Sequence, residues 1–321
     1  MPVNGRDSVA MARKKRNNTV DYLVYLVIRI VVAVIQALPV SAGYSLARMI
    51  GWLGYTIDKR HRRIALENVR HAFGDDLSAK QQDRLVRGVY VHFAKVIVEI
   101  AHIPRKLHSN NWKRYVNTHE VGDTIGLLLR ERATILVTGH FGNWEMAGYL
   151  IAVLGIESFA IARTLDNPYL HDFVLRFRQW SGQTILSKNG DMDRILQVLS
   201  DRQFLISVGD QAAGPRGYFI DFFGRPASTH KSVAVLALRY DAAITIGYSY
   251  RDRDSFHYHV GVAGIIDPRD YANCEDAAFE MTREFNRQLE RVIRLAPSQY
   301  LWLHNRWKHK PPTPVAKAKA A

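Results

Sequence analysis

The first regular pattern is an apolar run over 22–40, broken only by Arg29 and Gln36. It is about as long as the ~20 residues a helix needs to cross a bilayer. A second apolar stretch covers 44–57. Beyond it, Leu85, Val89, Phe93, Val96, Val98 and Ile100 recur with the spacing of one helical face, predicting a helix over 78–103. Ser78 and Gln81 form a capping-box pattern at its start. The segment 106–117 is basic and polar and reads as a crossing into the main domain. From 133 onward, short apolar runs alternate with helical patterns. Strands are predicted at 133–138, 158–162, 184–186 and 204–208, with helices at 144–154, 168–180 and 192–199. Further strands at 218–223 and 243–250 stand around a helix at 231–240. The segment 257–262 alternates as an edge strand would, and an amphipathic helix over 277–295 closes the pattern. Such alternation predicts an α/β fold with a mixed, mostly parallel central sheet flanked by helices. The division expected is a basic tail over 1–20, a helical membrane anchor or hairpin over 21–58, one main domain over 59–310 and a disordered tail over 311–321.

Charge sharpens the reading of the N-terminal end. Arg13, Lys14, Lys15 and Arg16 precede the first apolar run, and Lys59, Arg60, Arg62 and Arg63 follow the second. Positive charge marks the cytoplasmic side of a membrane element, and here it stands at both ends. That fits a re-entrant hairpin or in-plane helices with the body of the chain on the cytoplasmic face. A signal peptide would need a shorter apolar core without Arg29 and a small-residue cleavage site, an alternative that Ala42-Gly43 leaves open. The alternative for a soluble chain is a buried helix. Over all 321 residues, 44 Lys and Arg stand against 30 Asp and Glu, a net +14. An anionic partner follows, either an acidic lipid surface or nucleic acid. No nucleic-acid-binding motif accompanies the charge, so the expectation is a membrane surface and no nucleic acid. The single cysteine, Cys274, excludes an internal disulfide and a Cys-based zinc site. His257 and His259 share a strand pattern with no third ligand nearby, so neither a metal nor a cofactor is expected.

The chemistry concentrates in Gly139-His140-Phe141-Gly142-Asn143-Trp144-Glu145, where a buried strand gives way to a helix. Open α/β sheets place their sites at that edge. Asn143 is a plausible N-cap, which puts Glu145 in the first helical turn and His140 in the loop before it. A carboxylate on one ring nitrogen would fix the tautomer and raise the basicity of the other, making His140 a general base with Glu145 as its partner. Gly139 and Gly142 would allow a ligand close to the backbone, and free amides at the helix start would support an oxyanion. A first-turn Glu is equally what the helix dipole favours without any catalysis.

The flanking residues resemble the lipid A biosynthesis acyltransferases, a branch of the lysophospholipid and glycerolipid acyltransferase superfamily. That superfamily carries a His, four residues and then an acidic residue, as from His140 to Glu145, and the branch spells it GHFGNWE. Arg163 with Asn167, Arg176 and Arg178 resembles the second block. Asp210-Gln211, Phe222-Phe223-Gly224, Ala227 and Thr229 resemble the third. Pro297, Gln299 to Trp302, His304 and Arg306 to Lys308 resemble the C-terminal signature, with Asn305 where many members carry Arg. Upstream, Arg63, Asn68 and Phe73 match the segment after the anchor.

The resemblance implies an acyltransferase that needs no cofactor and whose domain spans 59–310. Its donor would be acyl carrier protein or acyl-CoA, and its acceptor a hydroxyl of a lipid A precursor. The setting would be the cytoplasmic face of a bacterial inner membrane. His140 would deprotonate the hydroxyl; the chain has no G-x-S-x-G elbow to supply a serine nucleophile, the nearest approach being Gly43 to Ala47 in the anchor. Arg163, at a strand end, suits a phosphate or phosphopantetheine group. Asp210 would orient Arg163 or the acceptor, and Gly142, Asn143, Gly224 and Thr229 would shape the substrate site. Thr229 reads equally as a plain helix cap. Two other readings remain: transfer to another membrane glycolipid or a lysophospholipid, and a non-catalytic lipid-binding membrane protein.

Overall fold

The computed structural model describes residues 17–312, except 181 and 189. The expected tails, 1–20 and 311–321, therefore lie almost wholly outside the described residues. Helix α1 (Asn18–Ala37) starts at Asn17, whose side chain accepts from the Thr19 and Val20 amides. It stops before Pro39, and α2 (Val40–Ile57) follows at once. Helix α1 is long and apolar enough to cross a membrane by length and composition. Then come α3 (Lys59–Phe73) and α4 (Ala79–Lys106), the latter with both halves of the predicted Ser78–Gln81 capping box. Two glycines set α2 against α4. A Cβ at Gly43 would come within 2.7 Å of Val98, and one at Gly51 within 2.5 Å of the Val91 Cα. Helix α3 escapes the sequence pattern because its buried stripe of Ala65, Val69, Ala72 and Phe73 is narrow beneath a strongly basic face.

The main domain runs in chain order through β1 (Val116–His119), α5 (Gly122–Leu129), β2 (Thr134–Thr138), α6 (Trp144–Val153) and β3 (Phe159–Ala162). It continues with α7 (Pro168–Trp180), β4 (Thr184–Ser187), α8 (Met192–Ser200) and β5 (Phe204–Val208). The hairpin β6 (Tyr218–Phe222) and β7 (Arg225–Thr229) precedes α9 (Ser232–Tyr240), β8 (Ala243–Arg251), β9 (Tyr258–Ile266) and α10 (Ala277–Leu295). Seven strands form one sheet in the order β1-β9-β8-β2-β5-β3-β4. Only the β8–β9 pair is antiparallel, so the sheet is mixed and mostly parallel.

Two expectations need correction, and one strand escapes the sequence pattern. The segment read as an edge strand is β9, which lies inside the sheet, and β1 covers its outer side. Strand β1 was hidden because only Val116 of its four residues is buried, leaving no alternation to detect. The strand at 218–222 pairs with β7 in a separate hairpin rather than joining the main sheet. One consequence of the register positions the site. Thr138 pairs with Val208, so the chain leaves β2 and β5 side by side at their C-terminal ends. The two loops that follow are brought together there.

Candidate active site

The loop between β2 and α6 is fixed from several sides. Its backbone bonds the C-terminal segment through Leu301 N to His140 O at 3.0 Å and Gly142 N to Gln299 O at 2.8 Å. It bonds β8 through Asn143 N to Ser249 O at 2.8 Å. Gly142 has φ of +57°, and any Cβ there would overlap the Ser249 carbonyl. Its close approach is therefore to strand β8, correcting the expectation of a ligand contact. Asn143 is fully buried; its Oδ1 accepts from Met146 N at 3.0 Å and its Nδ2 donates to Glu99 at 2.8 Å. It is the predicted N-cap, and its burial removes it from the substrate surface.

His140 meets Asp210, not Glu145. Asp210, on the loop after β5, takes the His140 backbone N–H on Oδ2 at 2.9 Å and the ring Nδ1 on Oδ1 at 2.7 Å. Gly139 makes room for this, since a Cβ there would press on the Asp210 Cβ at 3.3 Å and on Leu289. Asp210 is buried, whereas the His140 side chain is 23% exposed. Burial alone would lower the imidazole's pKa. The charge and hydrogen bond of Asp210, with the charge of Glu145, reverse that and leave it raised. Burial alone would raise the carboxyl of Asp210. Its bonds to His140 and the nearby Arg306 charge instead hold it below the usual range. The ring's Nε2 has no hydrogen-bond partner among the described residues, so with Nδ1 protonated it is free to accept a proton.

Glu145 sits in the first turn of α6 as predicted, but Arg178 of α7 holds its carboxylate. Arg178 Nε donates to Oε2 at 3.0 Å and Nη2 to Oε1, and Trp144 Nε1 donates to Oε1 at 3.2 Å. The expectation that Glu145 fixes the imidazole is corrected to a neighbour acting through its charge. The Trp144 ring stands edge-on to His140, 5.0 Å between centroids. Behind these groups a mainly apolar cavity of about 180 Å³ runs between the sheet and α6. Thr138, Trp144, Glu145 and Arg178 line one part of it, and Leu136, Ile151, Ile161, Ile185 and Ile206 line its body.

The other expected residues lie elsewhere. Arg163 follows β3 with a side chain 77% exposed, 4.0 Å from Asp166. Asp210 does not orient it, being committed to His140. Gly224 has φ of +76° in the β6–β7 turn, a conformation glycine serves, with open space around a notional Cβ. Thr229 is fully buried at the end of β7, not at a helix cap, and its hydroxyl accepts from Arg306 Nη2 at 2.7 Å and Asn286 at 3.2 Å. Its role is to hold the buried Arg306. Neither Gly224 nor Thr229 lines the cavity. His259 bonds His119 at 2.9 Å, and among the described residues no group of three or more His, Cys, Asp or Glu side chains is placed to hold a metal.

Sequence reasoning missed one buried cluster. Glu99 of α4 receives Arg251 of β8, the Tyr44 hydroxyl at 3.0 Å and Asn143. His92 donates through Nε2 to the Gly142 carbonyl at 3.1 Å and accepts from Arg251 on Nδ1 at 3.2 Å. Burial and the Arg251 charge lower the pKa of His92, so its ring is neutral. The signal was a lone Glu in the apolar run Val96-Ile97-Val98-Glu99-Ile100-Ala101. A carboxylate in such a place requires a buried partner.

Residues 10–309 match the family described as bacterial lipid A biosynthesis acyltransferase. The lipid A biosynthesis lauroyltransferase of Escherichia coli (strain K12) is 23% identical over 294 residues, covering 90% of this chain and 92% of the relative. The palmitoleoyltransferase of lipid A biosynthesis from the same organism is 22% identical over 268 residues, 83% of this chain and 85% of the relative. The phosphatidylinositol mannoside acyltransferase of Mycobacterium tuberculosis (strain ATCC 25618 / H37Rv) is 26% identical over 114 residues, 34% of this chain and 36% of the relative.

Proposed function

The chain belongs to the bacterial lipid A biosynthesis acyltransferase family, and from that premise we propose that it moves a fatty acyl group from a thioester of acyl carrier protein or coenzyme A to a hydroxyl of a lipid A precursor. The observation that carries this reading is His140, with Nδ1 on a buried carboxylate and Nε2 unbonded among the described residues, against Trp144, which lines an apolar cavity. The acceptor oxygen gives its proton to Nε2 and bonds to the thioester carbonyl carbon. The carbon–sulfur bond then breaks, and the thiolate leaves with the proton that His140 has carried. Asp210 fixes the ring with Nδ1 protonated and stabilises the imidazolium as it forms. Glu145 adds a second negative charge, held in place by Arg178. The amides of Trp144 and Glu145, first in α6 and without an acceptor among the described residues, point out of its N-terminal end and support the developing oxyanion. Exposed Arg163 serves as a contact for the donor's phosphate.

The protein works at the cytoplasmic face of a bacterial inner membrane. Helices α1 and α2 carry exposed apolar side chains there, including Val27, Ile30, Trp52 and Ile57. The excess positive charge holds the chain against anionic lipid and draws in an acidic carrier protein. The test is an assay of the purified protein with acyl-carrier-protein and coenzyme A thioesters and a lipid A precursor, read by mass spectrometry. One added ester-linked acyl chain on the precursor is the expected product. Transfer only to a mannosylated or lysophospholipid acceptor would replace the acceptor, and no transfer from any thioester would overturn the enzymatic reading.

A further inference from the structure

The cavity behind Glu145 has a mainly apolar lining that includes a buried polar side chain on the α6 side. Gln183, between α7 and β4, is 7% exposed, lines the cavity, and its Nε2 has no hydrogen-bond partner. Buried amides are nearly always paired, because leaving one unpaired forfeits its hydration without return. Gly148 of α6 is what leaves this amide uncovered. A Cβ at that position would stand 3.3 Å from Nε2 and 3.5 Å from Oε1. Gly148 itself lines the cavity, so the helix presents no side chain over the amide. It also lies three residues along α6 from Glu145, on the same face and roughly 4.5 Å further down the axis. The amide therefore faces the cavity a short way in from the carboxylate beside His140. A trapped water needs two to four polar partners, and the neighbouring wall of Gly148, Ile185 and Ala160 is apolar.

We propose that the cavity holds a donor acyl chain bearing an oxygen close to its carboxyl end, and that Gln183 hydrogen-bonds that oxygen. A hydroxyl on the β-carbon is the group that fits. This rests on the acyl-transfer reading above. The cavity's mainly apolar lining suits an acyl chain, so the oxygen at Gln183 is assigned to the donor chain that fills it. Gln183 is on this account a specificity-determining residue, and the buried amide is completed by substrate. The cavity lining contains a second unpartnered group, Thr124 Oγ1 on α5. It stands beside β1 at the opposite edge of the sheet from Gln183 and serves as the comparison.

The experiment compares kcat/KM for two thioester donors of equal chain length, one with and one without a β-hydroxyl, using the full chain and a lipid A precursor. The wild-type protein favours the hydroxylated donor by roughly tenfold, the value of one satisfied buried hydrogen bond. In Gln183→Leu the preference falls to near unity, and in Thr124→Val it persists. Equal use of both donors by the wild-type protein, an unchanged ratio in Gln183→Leu, or an equal collapse in Thr124→Val would each overturn the proposal. Equilibrium binding of the two free acids to the wild-type protein needs neither a variant nor turnover. Tighter binding of the hydroxylated acid supports the proposal even if no transfer is found, and equal binding overturns it even if transfer is brisk.

Discussion

At the scale of single residues, the site is a division of labour between two carboxylates. Asp210 is buried and bonded to both the backbone and ring of His140, whereas Glu145 is bonded to Arg178 and reaches the ring only through its charge. The sequence could offer only Glu145, because it is five positions away on the same loop and helix start. Asp210 comes from another strand, 70 residues on, and an Asp after a strand is also an ordinary turn former. The difference has a pH consequence. A general base must be neutral, and Asp210 holds the imidazole above its ordinary 6.5. The rate kcat/KM should therefore rise with pH through a limb above that value. Asp210→Asn removes the charge, so the limb moves to lower pH, while loss of the tautomer lowers kcat by roughly 100-fold or more. A pH–rate profile of this variant checks both. A limb that stays put would assign the raised basicity to Glu145 instead.

Elements explain how the loop that carries His140 stays in one geometry. Helix α4 supplies His92 and Glu99, α2 supplies Tyr44 and β8 supplies Arg251, and together they grip Gly142 and Asn143. The Arg251 and Glu99 side chains are essentially out of water, so removing one charge strands the other. Glu99→Gln should cost about 3–5 kcal/mol by that argument, seen as a lowered melting temperature in thermal unfolding. A variant that melts with the wild type would show the cluster to be well solvated. Elements with strong periodicity were legible from sequence: α7 and α10 match their predicted limits, and β2, β3 and β5 match within a residue. Elements whose partners lie elsewhere were not. Helix α5 and strand β7 are short, and β1 buries one residue in four, so each takes its form from neighbours rather than from its own pattern.

The whole molecule joins a layer of helices with exposed apolar side chains to the sheet edge that carries His140. Helices α1 and α2 turn apolar side chains outward while α2 is pressed on α4, the helix that braces the His140 loop. The fold class could be read from the alternation of strands and helices, and the candidate site could be proposed from the switch between β2 and α6. The cavity could not, because its lining comes from segments spread between Thr118 and Val262. On the proposed reading all of these parts serve one event, transfer of the acceptor's proton to Nε2 of His140. The most direct test is acyl transfer by full-length His140→Ala in membranes, beside wild type at equal membrane-bound amount and equal melting temperature. The account predicts a rate lowered by roughly 100- to 10,000-fold with anchoring unchanged. A variant that keeps most of its transfer rate would contradict it.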